Sequence, residues 1–282
     1  MPNPRFFFKV SRPRFWIYLF GPYLIGLVAG ADSIAELTTA TAIIFGLYFL
    51  FPANLLVYGI NDIFDFETDV LNEKKAGYEL LVTPDKRLVL AAAIAVVTVP
   101  FVVAAMFTSL ASFLTLVAFL LLSIFYSAPP ARAKGIPILD SAFNGLYVLP
   151  GVFAYQITAG TFPPLVVVVA GWFWTMAMHA YSAVPDIDAD HRAGVRTIAT
   201  FLGSTSTVVF CLVAYLAAAL LIMTEEPALG VSLGVVYTTL MLISLAVGRR
   251  RSGLFPIYRI FPLVNTLCGF AIFCYVALTR HF

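Results

Sequence analysis

The chain has 282 residues, of which 61% are hydrophobic, 15% aromatic and only 11% charged, with a formal net charge of +2. A soluble globular domain carries about 25% charged residues, so a water-soluble globule is excluded, as is a disordered chain, which is poor in apolar residues. The three cysteines (Cys211, Cys268 and Cys274) all lie in apolar runs and cannot pair fully, so a disulfide scaffold is excluded too; an all-α polytopic membrane protein remains.

A helix crossing the hydrocarbon core needs about 20 mainly apolar residues. Stretches free of Asp, Glu, Lys and Arg run over 15–31, 37–61, 88–131, 141–185, 197–224, 227–248 and 260–279. Two of these are long enough for two crossings. Thr108-Ser109 supplies turn chemistry near the middle of one, and Gly160-Thr161-Phe162-Pro163-Pro164 in the other. Nine transmembrane helices are therefore predicted. The runs are apolar on every face, without the alternation of barrel strands. The first run starts too late, and lacks the small-x-small site, for a cleaved signal. No long Ser/Gly/Pro linker interrupts the sequence, so residues 1–282 are expected to form a single membrane-embedded domain.

Basic residues favour cytoplasmic loops. Sorted by this helix count, sixteen of the seventeen Lys and Arg fall on one face, and only Arg280 on the other. The opposite loops hold only Asp32, Glu36, Glu225 and Glu226. This partition predicts an N-in, C-out topology. It also explains the basic balance, so no nucleic-acid partner is expected.

The remaining eleven of the fifteen acids share the cytoplasmic face and are clustered. At about 100° per residue, Asp62, Asp65 and Asp69 fall on one side of a helix continuing from the second span. Asn54, Tyr58 and Asn61 extend that stripe into the membrane. At the end of the sixth span, Asp186 and Asp190 share a face, whereas Asp188 points away. Four helices separate the two clusters, which returns the chain to the same membrane surface. Packed carboxylates at a membrane boundary cost free energy, and a bound divalent cation would offset it. Mg²⁺ takes one or two carboxylates together with substrate phosphates, so the pattern suits a metal–diphosphate site. Lys74, Lys75, Arg132, Lys134, Arg192 and Arg196 are on hand for the outer phosphate oxygens. Glu67, Glu73, Glu79, Asp85 and Asp188 read as solvated acids at helix ends, and His179 and His191, without a partner at metal spacing, as incidental.

Asn61-Asp62-x-x-Asp65-x-x-x-Asp69 resembles the first aspartate-rich motif of the UbiA-type intramembrane prenyltransferase superfamily. Pro185-Asp186-Ile-Asp188-Ala-Asp190, followed by Gly194-Val-Arg196-Thr197, is similar to the second, and Tyr126-Ser-Ala-Pro129-Pro130-Ala-Arg132-Ala-Lys134 to the loop between them. Many members carry Tyr-x-x-Lys-Asp before the second motif; here those positions read His179, Ser182 and Ala183. That departure argues against a quinone- or haem-type acceptor. Three segments resemble instead the carotenoid-modifying branch, the lycopene elongases: His179-Ala-Tyr-Ser-Ala-Val-Pro-Asp, Leu139-Asp140-Ser-Ala-Phe-Asn144-Gly-Leu-Tyr-Val-Leu-Pro150-Gly, and Asn72-Glu-Lys74-Lys75.

The resemblance implies an Mg²⁺-dependent transfer of a prenyl group, dimethylallyl for this branch, from an allylic diphosphate to a lipophilic acceptor, lycopene. Two Mg²⁺ ions would be held by Asp62, Asp65, Asp69, Asp186 and Asp190, with Asn61 as a neutral ligand or an orienter of metal-bound water. Lys74, Arg132, Lys134, Arg192 and Arg196 would neutralise the diphosphate. A central cavity, with Asn54, Tyr58, Tyr126, Asn144 and Tyr181 expected along it, would keep the allyl cation from water. The carotenoid would enter from membrane lipid, and the donor from the cytoplasmic side of the cell membrane. Loss of a proton or capture of water would end the reaction. Two alternatives share these residues: a prenyltransferase for another lipid acceptor (a quinone precursor, chlorophyllide or an archaeal glycerolipid), and a cation-coupled transporter. Transporters place such groups near the bilayer midplane, not at helix ends on one side.

Overall fold

A computed structural model describes residues 3–69, 80–248 and 254–281, and their side chains except at 67–69 and 254–255. Among the described residues every regular element is helical. In chain order they are α1 (Pro4–Val10), α2 (Ile17–Gly30), α3 (Ala40–Leu50), α4 (Pro52–Asp69), α5 (Arg87–Ala105), α6 (Leu110–Ser127) and α7 (Leu139–Ala142). There follow α8 (Leu149–Ala159), α9 (Leu165–Ala183), α10 (Ile187–Arg192), α11 (Ile198–Leu202), α12 (Ser204–Glu225), α13 (Pro227–Gly248) and α14 (Leu254–His281).

Seven stretches among the described residues are long and apolar enough to cross a membrane: Ala40–Phe66, Pro84–Ala105, Leu110–Ser127, Leu165–Arg192, Ser204–Glu225, Pro227–Gly248 and Pro256–His281. The other two expected crossings correspond to shorter helices. α2 has 14 residues, a rise of about 21 Å against a hydrocarbon core of about 30 Å. The fifth expected span is interrupted: α7 has four residues, a 3-10 turn covers Phe143–Tyr147, and α8 has eleven. Exposed Leu47, Val96, Leu114, Val213, Leu242 and Phe270 supply the apolar exterior that lipid contact requires.

The chain divides into two compact units. The first comprises Met1–Arg132, Leu149–Phe162 and Phe273–Phe282. Its helices begin where the sequence provides caps: Asn3 accepts from Phe6 N at 3.1 Å, Thr39 from Ala42 N at 3.3 Å and Ser109 from Ser112 N at 3.1 Å. The run at 37–61, expected as one span, bends at Phe51, because Pro52 brings no N–H to continue the ladder. Asn54 repairs the break by donating from Nδ2 to the carbonyls of Phe49 and Leu50, both at 3.0 Å. The core is aromatic: Tyr23, Phe45, Tyr48, Phe49, Phe119 and Phe153 are buried, with the Phe45 and Phe153 rings 4.5 Å apart.

Helices α2 and α8 pack backbone to backbone. A Cβ added at Gly26 would overlap the Gly151 carbonyl, and one at Gly30 the Thr158 hydroxyl. This Gly-x-x-x-Gly spacing lets helices approach where lipid offers no hydrophobic drive for association. Gly26→Ala should therefore cost about 1–3 kcal/mol through overpacking, read as a lower melting temperature in detergent. Gly21→Ala, whose Cβ would meet only the Ile17 side chain at 3.4 Å or beyond, should leave the melting temperature nearly unchanged.

The second unit comprises Ala133–Val148 and Pro163–Ile272. Within it, α9, α12 and α13 pack around stacked Tyr215 and Tyr237, 4.4 Å apart, and Tyr237 donates to Asn265 Oδ1 at 3.0 Å. The broken segment before α8 is seated on α9. Trp172 Nε1 donates to the Ala142 carbonyl at 2.8 Å, and its ring covers Gly145 so closely that a Cβ there would overlap it.

Candidate active site

The first aspartate-rich motif occupies the last turns of α4. Asp62 and Asp65, three residues apart, have relative exposures of 5% and 4%. An acid this buried needs a counter-charge or hydrogen bonds, and Asp62 has one that sequence spacing did not indicate. Arg12 Nη2 donates to Asp62 Oδ1 at 2.7 Å, with the guanidinium 4.9 Å from the centre of the Tyr58 ring. Arg12 sits in the turn after α1 at a φ of +50°, a left-handed conformation that costs a non-glycine residue about 1 kcal/mol. Trp16 steadies that turn by donating to the Ser11 carbonyl at 3.0 Å. In the sequence Arg12 is one of the sixteen basic residues that share a face, with no local sign of a partner.

Asn61, on the adjacent face, donates from Nδ2 to Ser127 Oγ at 3.1 Å, joining α4 to the last residue of α6. Beyond α6 runs the loop of the family-like Tyr126–Lys134 segment. It contains a cis Pro129-Pro130 bond and Arg132 at a φ of +41°. Arg132 is exposed, while Tyr126 and Lys134 are half-buried. Asp69's side chain and Lys74 lie outside the described residues, as does Lys75.

The second motif follows α9. A 3-10 turn over Val184–Asp186 carries the chain from α9 into α10. Asp186 and Asp190 are half-buried, and Asp188, His191, Arg192 and Arg196 are exposed. Thr197 and Thr200 then form a reciprocal capping box at the start of α11.

His179, expected to be incidental, has a specific neighbour. Its Nε2 lies 3.6 Å from Asp140 Oδ2, an electrostatic contact longer than a hydrogen bond. Asp140 is fully buried, and its carboxylate accepts from Ser141 N at 2.9 Å and Ile198 N at 2.8 Å. The two residues stand 39 apart in sequence, so no local pattern links them.

Of the five residues expected along a cavity, three are buried and hydrogen-bonded within the protein, although Asn54 Oδ1 has no hydrogen-bond partner among the described residues. Asn54 holds the α3–α4 bend; Asn144 Nδ2 donates to the Asp140 carbonyl at 2.6 Å; Tyr181 shares a 2.8 Å hydrogen bond with Ser244. Tyr58 and Tyr126 are half-buried.

Among the described residues, no three His, Cys, Asp or Glu side chains converge as a complete metal cage. Asp62 and Asp65 nevertheless fit Mg²⁺ in kind. They are hard oxygen donors, two in number, on one helix face, and Asp62 already draws a cation to 2.7 Å. Mg²⁺ characteristically takes one or two carboxylates and fills its remaining positions with water and substrate phosphate.

Residues 19–258 match the model of the UbiA prenyltransferase family. The chain belongs to that family. A lycopene elongase/hydratase of Halobacterium salinarum is 41% identical over 269 residues, covering 94% of both chains. One from Corynebacterium glutamicum is 33% identical over 79% of this chain and 78% of its own. Among solved structures, a UbiA homolog from Archaeoglobus fulgidus bound to GPP and Mg²⁺ superposes with a TM-score of 0.71 at 19% identity, covering 96% of this chain and 99% of that one. A UbiA homolog from Aeropyrum pernix K1 gives 0.70 at 19% identity, over 94% and 98%. At such identities these structures establish the UbiA fold for this chain. The family is one of membrane-embedded prenyltransferases, so the chain is an enzyme of that class, and the transporter reading falls away.

Proposed function

We propose that the chain transfers a dimethylallyl group from its diphosphate to lycopene in the synthesis of fifty-carbon carotenoids. The observation that carries this reading is the 41% identity, over 94% of both chains, with a lycopene elongase/hydratase. Helix α9 supports it, since His179, Ser182 and Ala183 stand where many family members have Tyr, Lys and Asp. An acceptor bearing a carboxylate would want the missing cation; a hydrocarbon does not.

In this reading Asp62, Asp65 and Asp69 of the first motif and Asp186 and Asp190 of the second hold two Mg²⁺ ions, with Asn61 beside them. Bound there, the ions supply electrostatic stabilisation of the charge that develops on the departing diphosphate. The chain's own residues do the rest. Lys74, Arg132, Lys134, Arg192 and Arg196 neutralise the outer phosphate oxygens and fix the donor's orientation. Apolar and aromatic walls exclude water from the allyl cation. The terminal double bond of lycopene attacks that cation, forming the new C–C bond and leaving a tertiary cation on the carotenoid. We place residues 1–282 in one domain of nine transmembrane helices around a central cavity, N-in and C-out in the cell membrane. The reaction site faces the cytoplasm, where the anionic donor is dissolved, and the acceptor enters from lipid.

The test is direct. Purified protein in lipid nanodiscs receives labelled dimethylallyl diphosphate with lycopene, with a hydroxybenzoate, or with an archaeal glycerolipid. Labelled carotenoid should form from lycopene alone, and only when Mg²⁺ is present. Transfer to the hydroxybenzoate but not to lycopene would replace the acceptor assignment, and undiminished transfer in excess chelator would remove the metal from the mechanism.

A further inference from the structure

A buried carboxylate in a membrane protein carries a desolvation cost, and by default marks function rather than packing. Asp140 is fully buried and lies outside both aspartate-rich motifs. Its two backbone partners, Ser141 N and Ile198 N, account for its oxygens as acceptors. A neutral asparagine could accept from at least one of them without bringing a charge. What a carboxylate adds is its negative charge, and the His179 imidazole lies 3.6 Å from Oδ2.

The backbone is bent to keep Asp140 there. Ile138, two residues earlier, adopts a φ of +75°; a left-handed conformation in a β-branched residue is a genuine outlier, stable only when the surroundings impose it. Beyond Asp140, the bond from Trp172 Nε1 to Ala142 O and the close seat of Gly145 under the Trp172 ring fasten the segment to α9. Trp172 and His179 are seven residues apart on α9, so they share one stripe of that helix. Seven residues after His179, past the end of α9 at Ala183, the chain reaches Asp186 at the close of the 3-10 turn. With four steps at about 1.5 Å in α9 and three at about 2.0 Å in the 3-10 turn, His179 stands no more than about 12 Å before Asp186 along the chain, on the apolar side of the second motif. With a diphosphate at the Asp186 end, that is the depth of the donor's carbon chain.

We propose that His179 is the base that ends prenyl transfer, and that Asp140 is its positioning residue. This rests on the lycopene reading above. After the C–C bond forms, the carotenoid carries a tertiary cation. In one ending, a C–H bond next to the cationic carbon gives its electron pair to a new C=C bond, and the proton passes to the imidazole. In the other, a water oxygen bonds to the cationic carbon and its surplus proton passes to the imidazole. Both leave His179 as an imidazolium, stabilised by the Asp140 carboxylate, and the proton is later released to solvent. Cation stabilisation at the diphosphate and proton removal at the carotenoid are thus separate tasks for residues of α9 and of the turn that follows it.

The experiment compares the wild type with His179→Gln, His179→Asn and Asp140→Asn in nanodiscs with Mg²⁺, lycopene and labelled dimethylallyl diphosphate. Two quantities are read: donor consumed, and labelled carotenoid formed. Melting temperatures are recorded beside them. General base catalysis contributes about a hundredfold or more. The histidine variants should therefore consume donor at a rate within a few-fold of wild type but form at least tenfold less carotenoid: the unfinished addition reverses, water captures the freed allyl cation and loses its proton to solvent, and the remainder appears as dimethylallyl alcohol. Asp140→Asn should fall between them and the wild type, with a changed ratio of hydrated to unsaturated carotenoid ends. If consumption and coupling fall in the same proportion in every variant, or if coupling is unchanged, the assignment is wrong. A wild type that makes no carotenoid from lycopene would instead overturn the acceptor reading.

Discussion

Asp65→Asn and Asp186→Asn should each slow prenyl transfer by at least about a hundredfold, the scale of losing one preorganised electrostatic contact to a developing charge. Stability should move differently. Asp65 is 4% exposed, and a buried carboxylate costs free energy that a neutral amide of the same shape does not. Asp65→Asn should melt no lower than the wild type in the absence of Mg²⁺. A residue held for packing would lose stability and activity together, whereas an acid held for metal should lose activity alone. Asp188→Asn is the internal control from within the second motif: its side chain is exposed on α10 where those of Asp186 and Asp190 are half-buried, and the variant should transfer at a rate within about twofold of wild type, the scale of a surface substitution. Turnover at saturating Mg²⁺, with melting curves on the same preparations, decides the matter. Near-normal turnover by either Asn variant would sink the metal assignment.

What the sequence made legible was imposed by the solvent. Lipid tolerates few charges, so runs without Asp, Glu, Lys or Arg mark most of the long helices, and Ser109 and the Gly160–Pro164 segment fall between consecutive ones. The aspartates at Asp62 and Asp65 were legible because helical spacing brings them to one face by local geometry alone. Two kinds of feature were not. Breaks within an apolar run, such as Phe51-Pro52 and the Phe143–Tyr147 turn, change no charge and leave only a proline or glycine as a trace. Contacts across the chain leave no trace in one sequence. Arg12 meets Asp62 fifty residues away, and Asp140 meets His179 across two helical segments. Both involve a residue, Arg12 among the basic residues or His179 within an apolar run, whose local sequence context gives no sign of a distant partner.

Arg12→Gln should lower the stability of the metal-free protein and raise its response to Mg²⁺. The guanidinium lies 2.7 Å from Asp62 Oδ1, with side-chain exposures of 14% and 5%. Removing one partner of a pair this buried costs about 3 kcal/mol, the lower end of the range for a broken buried pair, since Arg12 keeps some contact with solvent. The same geometry sets the sign of the metal effect. A monovalent cation on Asp62 opposes a divalent one by charge repulsion and by occupying an oxygen lone pair. The wild type must displace Arg12 to use that oxygen; the variant need not. Ligand at a hundred times its dissociation constant stabilises by about 2.7 kcal/mol, enough to offset most of the loss. Added Mg²⁺, without diphosphate, should therefore raise the melting temperature of Arg12→Gln by several degrees more than that of the wild type. An equal or smaller rise in the variant would mean that Arg12 and the metal do not compete for Asp62, and that the N-terminal turn serves the fold alone.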